Sequence, residues 1–344
     1  MKPGFFAFII LLSALLLSFQ GFRNSNDSSI FTINGQAQGT TYLIKYVSTS
    51  PLVQKKEVDD LLQQLDSSLS LYKSYSLINA FNASKNGLKL DEHLFEVLSS
   101  AQKVYQETKG AFDVSIKNLA AAWGFGNQQK SVLPSAENIR MLQKTTGFHH
   151  LRLLDRTLMK DHPDVRIDCD GIAQGYSVDQ LSALLDKKGI KDYVVELGGE
   201  VRTQGKSADG KPWTISVDML DLQHRKEGNV QLSGEAITSS GNFSKFSKLK
   251  GQYYSHIIDP HQGRPIDNGM IAVTVIYKDA MTADAFDNAF MVMGYKDALA
   301  FANQKEKMGV YIIFKNSKGI VSDTANAYFK EKISPSAVAS PRWQ

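Results

Sequence analysis

The sequence predicts an α+β protein, a single compact body with a mixed, mainly antiparallel sheet and packed helices. Short runs rich in β-branched and aromatic residues recur from Thr40 to Asp323. Amphipathic stretches stand between some of them but in no regular alternation, which excludes a clean βαβ series and an all-β pattern alike. No internal repeat or low-complexity linker divides Thr32 to Phe329.

Taken in order, "TTYLIKYV" (Thr40 to Val47) has strand composition. Val58, Leu61, Leu62, Leu65 and Leu69 then recur at helical spacing. A second helix is expected from Asp91, an acidic start, to Gly110, a glycine stop, and a third from Pro134 and Ser135 to Gly147. In "DCDGIAQGYSVDQLSALLDKKG", Val178, Leu181, Leu184 and Leu185 form the buried face of a helix that stops at Gly189. "DYVVELGGEVRTQG" reads as two short strands meeting at a glycine corner, and "WTISV" and "IAVTVIY" as two more. A last helix is expected from Thr282 to Gly294, with strands at "GVYIIF" and "GIVSD" closing the fold. The domain proper spans 30–330, and residues 331–344 read as a flexible tail.

Of the 344 residues 42% are hydrophobic and 22% charged, enough to bury a substantial core. The formal net charge of +4 is spread along the chain without a basic stripe, so nucleic acid is excluded as a partner. Met1 and Lys2 precede an apolar run from Phe5 to Phe19, shorter than the roughly 20 residues a spanning helix needs. Residues 1–22 therefore read as an export signal, with an uncleaved N-terminal anchor as the other reading, and the protein as periplasmic or bound to a periplasm-facing membrane. Cys169 is the only cysteine; flanked by Asp168 and Asp170, its thiolate is disfavoured, and it reads as a buried small residue.

Three stretches carry candidate chemistry. In "DCDGIAQGYSVDQL" the Gly171 to Gly175 segment lies at a helix start, where free backbone groups meet a ligand, yet two carboxylates precede it. Asp168 and Asp170 either cap the helix or contact the ligand. In "DAMTADAFDNAFMVMG", Asp284 and Asn288 stand four apart on one helix face, hard oxygen ligands of the kind magnesium takes. The competing reading is a solvated acidic face shared with Asp287; Phe286, Phe290 and Met293 point inward. In "YYSHIIDPHQGRP", His256 is placed in an apolar strand beside Ser255 and ahead of a tight turn, either packed or a proton carrier. "ITSSGNF" offers hydroxyls and a glycine turn, and Tyr72 a ring that can stack on a flat ligand.

In this order, "QGTTY", "LYKSYSLINAFN", "GAFDVSI", "AAWGFG", "DGIAQGYSVDQL", "ELGGEVRTQG", "TSSGNF", "YSHIIDPHQGRP" and "DAMTADAFDNAFMVMG" resemble the ApbE family of FAD:protein FMN transferases. The resemblance implies an ApbE-like body related to the T-fold, with FAD as substrate and Mg2+ on its pyrophosphate. It also implies transfer of FMN to a Thr or Ser hydroxyl of an acceptor flavoprotein subunit of the redox-pump type, with release of AMP. By position, the Gly171 carbonyl and the Asp284 and Asn288 side chains would hold the metal. Gln38, Tyr72, Ala111, Phe112, Asp113, Asp168, Gln174, His256 and Ile257 would contact the flavin nucleotide, His256 in the catalytic position. Gln174 stands where the family commonly has lysine or glutamate, Asn288 where threonine is common, and the lipid-attachment cysteine of many members is absent. An FAD pyrophosphatase releasing FMN and AMP, and a non-catalytic FAD carrier, are the alternative functions.

Overall fold

The computed structural model describes residues 28–334, apart from 127–131, 222–223, 243–245 and 250–251. The export signal, residues 335–344 of the tail and Phe243 of "ITSSGNF" lie outside the described residues. The core is an eight-stranded sheet whose strands we number β1 (Ser29–Ala37), β2 (Thr40–Ser48), β3 (Tyr193–Leu197), β4 (Glu200–Gln204), β5 (Ala236–Gly241), β6 (Met270–Tyr277), β7 (Gly309–Lys315) and β8 (Val321–Ala325). They lie side by side in sequence order, and every pairing is antiparallel. The sheet expected as mainly antiparallel is therefore so throughout its described ladders.

Helices fill the long connections. They are α1 (Lys55–Leu69), α2 (Leu77–Ala83), α3 (Glu92–Glu107), α4 (Lys117–Ala122), α5 (Ala136–Gln143), α6 (Asp170–Lys187), α7 (Ala280–Met293), α8 (Tyr295–Asn303) and α9 (Ala327–Lys332). The layout is two units of the same form, a strand pair, a helical insert, and a second strand pair. In the first unit α6 precedes β3 and in the second α7 follows β6, and the two helices pack against each other. This correspondence is one of architecture; the sequences of the two units are unlike, so no repeat is visible in the chain.

The alternation of side chains explains the long apolar strands. Along β7, Val310, Ile312 and Phe314 enter the main core under the helices, while Tyr311 and Ile313 enter a second cluster with Val217, Val230, Leu232 and Phe329. A hairpin (Trp213–Asp221 with His224–Leu232) and α9 thus cover the other face of the sheet. With both faces covered, the strand has no polar side to show. Residues 331–334, assigned to the tail from sequence, belong to this layer: α9 runs to Lys332, Ile333 bridges Val230, and the Ser334 N–H donates to the Asn229 carbonyl.

Local signals set the helix ends. Asp91, Ser135 and Asp279 cap α3, α5 and α7 by accepting the N–H of Leu94, Asn138 and Thr282. α7 starts at Ala280, two residues before the expected Thr282, because the cap is Asp279. α5 stops at Gln143, short of Gly147. "ITSSGNF" does not form a glycine turn: Thr238, Ser239 and Ser240 lie in β5, in the middle of the sheet, with Thr238 fully buried. His256 does not lie in a strand either; it occupies a bend after the short strand Gln252–Ser255. Among the described residues no helix is long and apolar enough to cross a membrane.

Candidate functional site

The candidate site is built on the α6–α7 seam. α6 is kinked at Gly171, whose φ of −88° and ψ of 20° leave the helical region. In an unbroken helix the Gly175 N–H points at the Gly171 carbonyl. Here the Gly175 N–H reaches Asp284 Oδ2 at 3.0 Å, and the Gly171 carbonyl faces Asn288 Nδ2 at 3.4 Å. Glycine at 175 is required for this approach, since a Cβ there would lie 2.3 Å from the Ala280 carbonyl oxygen. The three residues assigned to the metal are therefore brought together.

Their environment differs from the solvated helix face that spacing allowed. α7 is wedged between α3, α6 and the sheet, so Asp284 and Asp287 are only 4% and 1% exposed. Phe286 and Phe290 are buried as expected, and Met293 is half-buried. Around Asn288 Nδ2 stand the Asp284 carbonyl at 3.0 Å, Asp284 Oδ1 at 3.3 Å and Asp287 Oδ1 at 3.0 Å, as well as the Gly171 carbonyl. Four oxygens thus converge on one small volume. Asp287 Oδ2 is buried without a hydrogen bond of good geometry, although the Thr238 hydroxyl lies alongside. Burial, then the Asp284 and Glu200 charges, hold the Asp287 carboxyl far above its ordinary range. Such a group is short of positive charge, and hard oxygen donors of this kind suit Mg2+. The fit rests on two side chains and a carbonyl: among the described residues no cluster of three or more His, Cys, Asp or Glu side chains has metal-holding geometry.

The predicted nucleotide contacts surround the start of α6. Asp168 sits one residue before the helix cap, accepts the Asp170 N–H at 3.0 Å, and donates its own N–H to the Val114 carbonyl at 2.7 Å. This ties it to the Ala111 to Asp113 segment. Part of Asp168 reaches solvent, yet its carboxyl is enclosed by protein, and burial raises it against the pull of the Asp170 amide and Lys117. Cys169 is buried, and burial with the two flanking aspartates pushes its thiol up, as an inert packed cysteine requires. Tyr72 is 68% exposed, its hydroxyl 3.5 Å from Asp170 Oδ2. Gln38, at positive φ in the β1–β2 turn, donates to Ser177 Oγ at 3.0 Å. Gln174 lies against the Gly198 corner, where a Cβ would come within 2.6 Å of its Nε2.

His256 is held by its neighbours. The Ile257 N–H donates to Ser255 Oγ at 3.1 Å, and Ser255 Oγ donates to Asn242 Oδ1, closing a small turn around the histidine backbone. Asn242 is fixed in turn to β6 through the Ile271 and Met270 carbonyls. The following turn packs beside the segment assigned to the flavin: Trp123 Nε1 donates to the Gly263 carbonyl, and His261 abuts Gly110, the residue before Ala111.

The family model described as "ApbE family" matches residues 38–312. The chain belongs to the ApbE family. A FAD:protein FMN transferase of Vibrio cholerae is 34% identical over 310 residues, 88% of this chain and 92% of that one. One from Escherichia coli K12 is 32% identical over 269 residues, 76% of each chain. The solved flavin transferase ApbE from Vibrio cholerae superposes with a TM-score of 0.81 at 33% identity, covering 89% of this chain and 99% of that one. The apo flavinyl transferase ApbE of Pseudomonas stutzeri gives 0.81 at 30% identity, covering 90% and 98%. The fold is thus ApbE-like over nearly the whole described chain.

Three residues that brace the elements around this site escaped the sequence reading. Asn82 pairs both amide atoms with the Ile167 backbone at 2.8 and 2.9 Å and so sets the approach to Asp168; its signal was a polar residue on the apolar face of α2. Ser177 receives Gln38. Asp179, eight residues after Gly171 and on the same helix face, ties α6 to the start of α7.

Asp113 offers a test by pH. Its carboxyl is buried, and burial raises it to about 6, against the Ser115 N–H and hydroxyl it accepts and the nearby His261 and His150. Because the folded value lies above the unfolded one, the unfolded chain gives up this proton first, and stability falls as pH rises from about 4 through 6. Asp113→Asn keeps the acceptor for Ser115 and is expected to remove that loss, on the order of 3 kcal/mol at neutral pH. Denaturant unfolding of both proteins at pH 4 and pH 7.5 checks it; equal pH slopes would exclude Asp113 as the source.

Proposed function

We propose that the protein transfers FMN from FAD to a Thr or Ser hydroxyl of an acceptor protein in a Mg2+-dependent reaction that releases AMP. The observation that carries this reading is the convergence of Gly171, Asp284 and Asn288 at the kink of α6. The names of the relatives, FAD:protein FMN transferases, support the substrate and the group transferred. The Gly171 carbonyl and the Asp284 and Asn288 oxygens would hold Mg2+, which when bound would offset pyrophosphate charge and stabilise departing AMP.

The chain's own residues do the rest. A half-turn of the Asn288 amide exchanges its donor for an acceptor, so the same side chain serves an empty and a filled site. Tyr72 offers an exposed face to the isoalloxazine ring, and the Ala111 to Asp113 segment, Asp168, Gln174 and Gln38 line the nucleotide. The acceptor hydroxyl attacks the FMN-side phosphorus in line and forms the new P–O bond, while the P–O bond to AMP breaks. His256 takes the hydroxyl proton as the bond forms. The acceptor segment must arrive extended to reach the phosphorus, along a groove or a sheet edge.

The acceptor is a flavoprotein subunit of the redox-pump type, and the protein works after export, facing the periplasm, with the Phe5 to Phe19 run as the support for that location. Incubation with FAD, Mg2+ and candidate acceptor subunits, followed by intact-mass measurement, is expected to show acceptor mass increased by one FMN. AMP released at the same rate with and without acceptor, and no mass gain, would instead identify a pyrophosphatase. Bound FAD with no AMP at all would leave a carrier.

A further inference from the structure

Three contacts tie α6 to α7, one on each successive turn. Gly171 meets Asn288, Gly175 meets Asp284, and Asp179 accepts the N–H groups of Ala280 at 3.0 Å and Met281 at 2.9 Å. The helices therefore run antiparallel in a fixed register. The first two contacts involve the oxygen group itself, and the third lies one turn beyond the second. Asp179 is also gripped from the sheet, because Arg202 Nη1 on β4 donates to its Oδ1 at 2.7 Å. Both side chains line a cleft of about 580 Å³ beyond the start of α7, in a part of the molecule that holds none of the assigned flavin contacts.

Two antiparallel helices that meet through a glycine approach closely, and each residue of slip along the axis would move the donors by about 1.5 Å. Asp279 already caps α7 through Thr282, so the amides taken by Asp179 join one helix to the other as well as capping an end. We propose that Asp179, with Arg202, is a positioning residue for the oxygen group: it fixes how far α7 is advanced along α6 and thereby the spacing of the Gly171 carbonyl, Asp284 and Asn288. The inference rests on the reading of that group as the Mg2+ site.

Asp179→Asn and Arg202→Gln in the full chain test it, with Mg2+ binding to the FAD-loaded protein followed by titration calorimetry and the Mg2+ dependence of AMP release followed in parallel. Both variants are expected to need on the order of 10 to 100-fold more Mg2+ for half-saturation, the usual cost of losing a partner behind a metal ligand. At saturating Mg2+ the rate should return close to that of the unaltered protein. A residue that only stabilises the helix end would lower the unfolding midpoint and leave the Mg2+ titration in place, which would overturn the proposal. Unfolding of both variants would overturn it too, since Asp179 would then support the fold at large. Asp284→Asn serves as the reference: if it binds Mg2+ like the unaltered protein, the reading of the oxygen group fails independently of Asp179.

Discussion

His256→Asn is expected to slow FMN transfer by on the order of 10²-fold or more while FAD binding is retained, as the loss of general acid–base help does. The expectation follows from how the residue is held. Its backbone is pinned by the Ser255 hydroxyl and, through Asn242, by β6, so an asparagine there inherits the same frame and the fold has little reason to change. A histidine present only for packing predicts the opposite pattern, a modest loss of stability with nearly full activity per folded molecule. Titrating FAD by flavin fluorescence and following AMP release on the same sample separates the two. Normal turnover by a well-folded His256→Asn protein would remove the residue from the reaction and leave the oxygen group on α6 and α7 as the main source of rate enhancement.

What could be read from the chain, and what could not, follows from the range of the interactions involved. The ends of α3, α5 and α7 depend on capping side chains one turn away, and the β3–β4 corner depends on Gly198 and Gly199 at positive φ, so short stretches of sequence suffice for them. The burial of Asp284 and Asp287 depends on three other elements closing around α7, which periodicity within α7 cannot report. The same limit explains "ITSSGNF": its hydroxyls suggest a turn, but neighbours on both sides recruit it as β5. In β1 the strand formers Ile30 to Ile33 run into Asn34, Gly35 and Gln36, which are held in the strand by the ladder with β2. Motifs within short stretches single out candidate residues, whereas Asn82 and Asp179 carry no such local signal, because their partners Ile167 and Arg202 lie far along the chain.

Burial of Asp284 changes what its replacement should do. Spacing on α7 suggested a solvent-facing carboxylate, whose removal would shift stability within about 1 kcal/mol. In the structure the carboxylate is enclosed and accepts the Gly175 N–H, so Asp284→Ala leaves that amide without a partner and is expected to cost about 1–3 kcal/mol. Asp284→Asn is the cleaner change, because it keeps the acceptor for Gly175 and removes a negative charge next to the buried Asp287 carboxyl. Folded stability should therefore stay level or rise, while transfer at fixed, limiting Mg2+ falls by on the order of 10²-fold or more, since a neutral amide replaces an anionic ligand. Denaturant unfolding and the Mg2+ dependence of AMP release, measured on the same preparation, read the two effects apart. An Asp284→Asn protein that is folded and shows the unaltered Mg2+ dependence would make Asp284 a structural acceptor for α6 and nothing more.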